Sequence, residues 1–236
     1  MHRAIVGFVG SLAITVGLFA GGGVAAQENT AVPDDLSATV DNPFFPLAPG
    51  TSRRYEGQEV NPDTGETVDL RVREHVSPVP DEIAGAPVTT LAVQEYEDGQ
   101  LTETTSDYHA QGPDGTVYYL GEDVKMYEDG QLVSHEGTWL AGEGNNKAGE
   151  FMPAEPRVGD SFAQEQAPGV AEDSATVVAV DLTLETAVGT FSDCIKTQDL
   201  NPIDQATEHK YYCPGVGLVR EEYANGSLDL VSVTGG

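Results

Sequence analysis

Residues 106–123, Ser-Asp-Tyr-His-Ala-Gln-Gly-Pro-Asp-Gly-Thr-Val-Tyr-Tyr-Leu-Gly-Glu-Asp, hold the densest set of chemically capable side chains in this 236-residue chain. Asp107, Glu122 and Asp123 offer carboxylates to a proton or a hard cation. Tyr108, His109, Tyr118 and Tyr119 offer ring faces, hydroxyls and an imidazole. With Trp139, they have the make-up of a ligand cleft, in which apolar walls carry a few polar groups. His209 and Tyr211 bring the same residue types late in the chain. The expected ligand site is therefore Tyr108, His109, Tyr118, Tyr119, Trp139, His209 and Tyr211. Asp107, Glu122 and Asp123 are the metal candidates. The plainer alternative makes the aromatic residues core and the acids a solvated rim.

Other chemistry finds less support. Three histidines adjoin a glutamate, as Glu74-His75, His135-Glu136 and Glu208-His209. Neighbours on a strand point to opposite faces, so none of these pairs is a ready acid–base dyad. The chain has no Gly-rich phosphate loop, no Gly-x-Ser-x-Gly, no His-Glu-x-x-His and no zinc-type cysteine cluster. No catalytic residue and no cofactor is assigned.

The elements that must position these residues are strands. In residues 67–76, Val68, Leu70, Val72 and Val76 share one face, and Asp69, Arg71, Arg73 and His75 take the other. That period of two marks a strand with one buried face. Residues 174–186 repeat it, and no long stretch carries a helical stripe. The run Tyr-Glu-Asp-Gly-Gln-Leu occurs at 96–101 and again at 127–132, with a looser Tyr-Ala-Asn-Gly-Ser-Leu at 223–228. Asp-Gly and Asn-Gly are favoured centres of two-residue hairpin turns, where both residues take positive φ. Such turns set Tyr96 opposite Leu101, Tyr127 opposite Leu132 and Tyr223 opposite Leu228. The repeat is thus a structural device. Its adjacent acids supply too few oxygens for a calcium cage. The fold class expected is mainly β, a single curved antiparallel sheet or partly open barrel built from hairpins, with little helix.

Residues 1–26 have the form of a secretory signal peptide: Arg3, an apolar run, then small residues before Gln27. Residues 27–42 are expected to be a disordered lead-in, and 43–236 a single all-β domain. Export implies an extracellular product that is no integral membrane protein once cleaved. Arg3 is the only charge in the leader, so the mature chain is more negative by a single unit than the −28 of the whole. Such a surface repels nucleic acid and attracts cations. Cys194 and Cys213 are the only cysteines. If the strands around them form a hairpin centred near 203–204, the two lie about equidistant from it and face each other. A disulfide is then possible, and two buried free thiols are the alternative.

Several segments carry a resemblance: 41–57, 107–130, 149–178, 188–197 and 208–222, the last with a Tyr-Tyr-x-Pro-Gly-Val-Gly-Leu-Val run. They resemble a family of secreted bacterial proteins of unknown function. Through that run they resemble the curved antiparallel sheet of lipoprotein carriers and related lipid-handling domains. The resemblance implies a single exported, sheet-dominated domain and supplies no catalytic residues. Family members usually carry Ala where this chain has Cys213, which would make a disulfide a local addition.

The function expected is that of a secreted, non-enzymatic protein holding an apolar or amphipathic, lipid-like ligand on the sheet. The alternatives are an acidic, calcium-like cation binder, with divalent cations as partners, and a hydrolase with a cross-strand carboxylate pair.

Overall fold

A computed structural model describes residues 31–236, apart from Asp63, Asp204 and Gly236. The expected signal peptide lies outside the described residues. The strands are β1 (Ser52–Val60), β2 (Thr67–Val76), β3 (Asp81–Ile83), β4 (Ala86–Glu97), β5 (Gln100–Gln111), β6 (Val117–Glu128), β7 (Gln131–Ser134), β8 (Trp139–Leu140), β9 (Gly149–Met152), β10 (Ser161–Ala163), β11 (Ser174–Thr186), β12 (Gly189–Leu200), β13 (Thr207–Cys213), β14 (Gly217–Tyr223) and β15 (Gly226–Thr234). All pairs are antiparallel, and no helix occurs among the described residues. They form one sheet in the order β10-β11-β12-β13-β14-β15-β1-β2-β4-β5-β6-β7, with β3 on β4 and both β8 and β9 on β6. Long hairpins account for this order, since each turn returns the chain beside the strand it has just left.

The sheet is not closed into a barrel, yet its two ends come together. The Lys147 N–H donates to the Gln166 carbonyl at 3.0 Å, and the Gln166 side-chain amide donates to the Ala148 carbonyl at 3.0 Å. Two apolar clusters fill most of the fold, beside a third of Phe162, Ala175 and Val177 on β10 and β11. The larger joins β4–β6, β8 and β9 to Val40, Phe45 and Leu47, and the smaller surrounds Tyr55, Leu70, Leu228 and Leu230.

Residues 31–42, expected to be disordered, are packed. Val32, Leu36 and Val40 seat on the larger cluster, and Ser37 exchanges backbone hydrogen bonds with Gln111 at 2.9 and 2.8 Å. The buried Asn42 amide donates to the carbonyls of Gly115 (2.9 Å) and Pro153 (3.0 Å). Three apolar residues spaced four apart anchor the segment despite its polar composition.

Two of the three repeats are turns of the expected kind. Asp98 (φ 48°) and Gly99 (φ 80°) set Tyr96 opposite Leu101, and Asp129 (φ 51°) and Gly130 (φ 75°) set Tyr127 opposite Leu132. The third differs. There Tyr223 pairs with Gly226 and Leu228 with Glu221, so the turn is Ala224-Asn225, and neither residue has positive φ. Gly226 is required for another reason: a Cβ on it would lie 2.2 Å from the Gln58 carbonyl oxygen of β1. Gly99→Val and Gly130→Val are each expected to cost about 1 kcal/mol or more, because a β-branched residue resists positive φ. Denaturant unfolding measures this, and unchanged midpoints would contradict the turn assignment.

Cys194 and Cys213 are bonded, with their Cα atoms 4.2 Å apart. The β12–β13 register pairs Ile195 with Tyr212, which places the two cysteines at the next opposed position. Both are fully buried in the smaller cluster.

Candidate functional site

On the inner side of the sheet lies a cavity of about 120 Å³, lined from β1, β2, β4–β6 and β13–β15. Phe45, Leu91, Val93, Leu218 and Leu228 supply apolar wall, while Glu74, Glu95, Glu97, Glu103, Asp107, Glu122 and Glu221 add seven carboxyl groups. The strand period explains the mixture. Along β4, Leu91, Val93 and Glu95 occupy one face in succession, and along β5, Glu103, Thr105, Asp107 and His109 do the same. A bulge then retunes β6. Asp107 pairs with Glu122 and His109 with Tyr119, so both Leu120 and Gly121 oppose Tyr108. The extra residue lets Tyr119 and Glu122, three apart, line the same cavity. Gly121 (φ 130°) permits the bulge and the approach of β8, since a Cβ there would lie 2.3 Å from the Trp139 carbonyl oxygen.

The two sides of the cavity differ in their countercharges. On the β1 and β13 side, the buried Lys210 ammonium lies 3.3 Å from Asp199, 3.6 Å from Glu221 and 3.7 Å from Glu208. Burial alone would lower its pKa, but Glu221, Asp199 and Glu208 outweigh burial and hold it well above the ordinary lysine value. Arg53 likewise meets Glu74 at 3.4 Å and donates to the carbonyls of Pro46 (2.6 Å) and Val216 (3.0 Å).

On the β4–β6 side, no lysine or arginine of the described residues forms a salt bridge with Glu95, Glu103, Asp107 or Glu122. Glu95 stands directly opposite Glu103 across the ladder. Burial, reinforced by Asp107, pushes Glu103 up to about 7, and burial, with Glu74, pushes Asp107 up to about 7. Burial and the neighbouring Glu103 raise Glu95 well above the carboxylate range, and burial and Glu165 do the same to Glu122. Asp107 Oδ1 and Glu122 Oε1 are buried with no hydrogen-bond partner.

His109 closes the floor. Its ring stacks on Tyr119 at 4.7 Å and meets Phe45 (5.0 Å) and Phe151 (4.8 Å) edge-on. Burial lowers its pKa to about 3, so the imidazole is neutral at physiological pH. Its Nδ1 is buried and unpartnered.

Of the residues expected at a site, His109, Tyr119, Asp107 and Glu122 line the cavity together. Trp139 is buried behind Tyr119, edge to face at 5.5 Å. Tyr108 and Tyr118 are half-buried against the larger core cluster and do not line the cavity. Asp123 pairs with Lys125 and lies 3.9 Å from His135. His209 and Tyr211 alternate with the cavity-lining Lys210 and Tyr212, and Tyr211 donates to Glu222 at 2.8 Å outside the cavity. The described residues contain no cluster of three or more His, Cys, Asp or Glu able to hold a metal ion.

Sequence reasoning passed over Glu95, Glu103, Lys210 and Tyr212. The signal was present: Glu95 continues the Leu91-Val93 face, and Glu103 keeps step with Asp107. Acids in an apolar register mark an interior polar site.

No family model matches the chain, and no curated protein matches it. Among solved structures, the chain is similar to a Bacteroides fragilis protein with a YmcC-like fold, inferred to be exported. The identity is 15%, over 82% of this chain and 100% of that one, with a TM-score of 0.39.

Proposed function

We propose that this is an exported, non-enzymatic binding protein whose amphipathic ligand enters the interior of the curved sheet. The observation that carries this reading is the cavity itself, a mixed apolar and acidic lining in which Asp107 Oδ1 and Glu122 Oε1 are buried without a hydrogen-bond partner. Buried polar atoms without partners cost free energy, and a ligand that donates hydrogen bonds would satisfy them. The resemblance to lipid-handling sheets supports the same reading. The disulfide suits an oxidising compartment outside the cytoplasm. Native mass spectrometry of the protein purified from its own host tests it. The expected result is a bound organic molecule released on denaturation. A stoichiometric divalent metal instead would favour the cation-binding alternative.

The opposed Asp107–Glu122 pair favours a second reading, a hydrolase. One of the two carboxyls would act as base and the other as acid, the division of labour that a buried pair with raised pKa values allows. Turnover of glycoside or ester substrates that Glu122→Gln abolishes would establish it.

A further inference from the structure

We infer that the β4–β6 wall of the cavity seats an organic cation, an ammonium group carried on an alkyl chain. This deepens the binding reading above and rests on it. The interior shows how it holds such a group, because the Lys210 ammonium lies within 3.3–3.7 Å of three carboxylates. The acids of the facing half have no such partner. Glu122 is only 1% exposed, and its Oε1 has no hydrogen-bond donor. Asp107 Oδ1, opposed to it across the ladder, is in the same state. Glu103, also buried, lines the same wall.

The chemistry of this wall selects among ligands. An ammonium would stabilise the ionised form of Glu103, Asp107 and Glu122, which burial disfavours. An anionic headgroup would instead add like charge to whichever of them ionises, at a cost that rises in a low-dielectric interior. A bare divalent ion needs several oxygens converging on one point, and the described residues form no such cluster. A primary ammonium has three donors and needs no fixed coordination shell. Leu91, Val93 and Phe45 beside the acids would take the alkyl chain.

Isothermal titration of the disulfide-bonded protein near neutral pH, with n-octylammonium, octan-1-ol and octanoate, tests the assignment. Octylammonium is expected to bind at least about tenfold more tightly than octanol or octanoate. The Asp107→Asn/Glu122→Gln double variant is expected to lose about tenfold in octylammonium affinity while binding octanol as before. Should that variant not fold, Glu103→Gln is expected to show the same selective loss. Equal affinity for octanol or octanoate would overturn the cation assignment and leave the amphipathic-ligand reading standing. No binding of any of the three would overturn both.

Discussion

Raising the pH from about 5 to about 8 is expected to destabilise the fold, and amides at two cavity positions are expected to remove much of that loss. Glu103 and Asp107 are held up to about 7, mainly by burial, whereas in an unfolded chain both titrate near 4. Below about 4, both states carry these protons, and the stabilisation from the raised pKa values is fully present. Between about 4 and 7, the folded protein keeps protons that the unfolded chain has released. Stability then falls with pH, by at most about 1.4 kcal/mol per pH unit for each group. Above about 7 the contribution of these two groups is gone, while Glu95 and Glu122, also held well above the carboxylate range by burial, continue the fall in parent and variant alike. The two groups interact, so the titration belongs to the pair. Relief of the overall negative charge would also favour lower pH, and the Glu103→Gln/Asp107→Asn variant separates the two causes. It should be more stable than the parent at pH 8 by several kcal/mol, with little difference at pH 4. Urea unfolding across the pH range measures this. An equally steep pH dependence in the variant would assign the effect to surface charge instead.

Reduction of the Cys194–Cys213 bond is expected to cost about 3 kcal/mol without unfolding the domain. The two residues are 19 apart in sequence, and in the chain-entropy model closing such a loop restricts mainly the unfolded state. The core of a domain this size does not depend on one staple. Both sulfurs lie in the smaller apolar cluster and line no portion of the cavity, so a Cys194→Ala/Cys213→Ala variant should bind octylammonium as the parent does. Denaturant midpoints with and without reductant give the first value, and ligand titration of the double variant gives the second. Lost binding in a folded double variant would place the cysteines in the site.

The architecture was legible in the sequence because strand period and turn chemistry are local signals. Asp98-Gly99 and Asp129-Gly130 fix their own φ values, so they fix their hairpins. The disulfide followed from symmetric placement about a loop, which a regular ladder preserves. The Asn225-Gly226 turn misled because Gly226 serves a neighbouring strand rather than its own turn. The site was half legible. His109, Tyr119, Asp107 and Glu122 were visible as a dense local group, but which of them share a face depends on the bulge at Leu120-Gly121. A one-residue irregularity reverses side-chain direction for everything beyond it, and nothing in the composition announces it. His209 and Tyr211 show the converse, with the right residue types one position out of phase with Lys210 and Tyr212.

Where the sheet's two ends meet, the backbone ladder is replaced by a clasp centred on Gln166. A closed barrel can widen only by breaking a full ladder. Here the two hydrogen bonds that Gln166 makes to Lys147 and Ala148, and the 3.5 Å bond from the Gln164 amide to the Phe151 carbonyl, would part while every long hairpin stays intact. The hydrogen-bond share of such an opening is about 2–4 kcal/mol, small beside the cost of global unfolding. The protein is in this respect a cuff rather than a tube: its circumference can relax at one seam without unfolding the walls around the cavity.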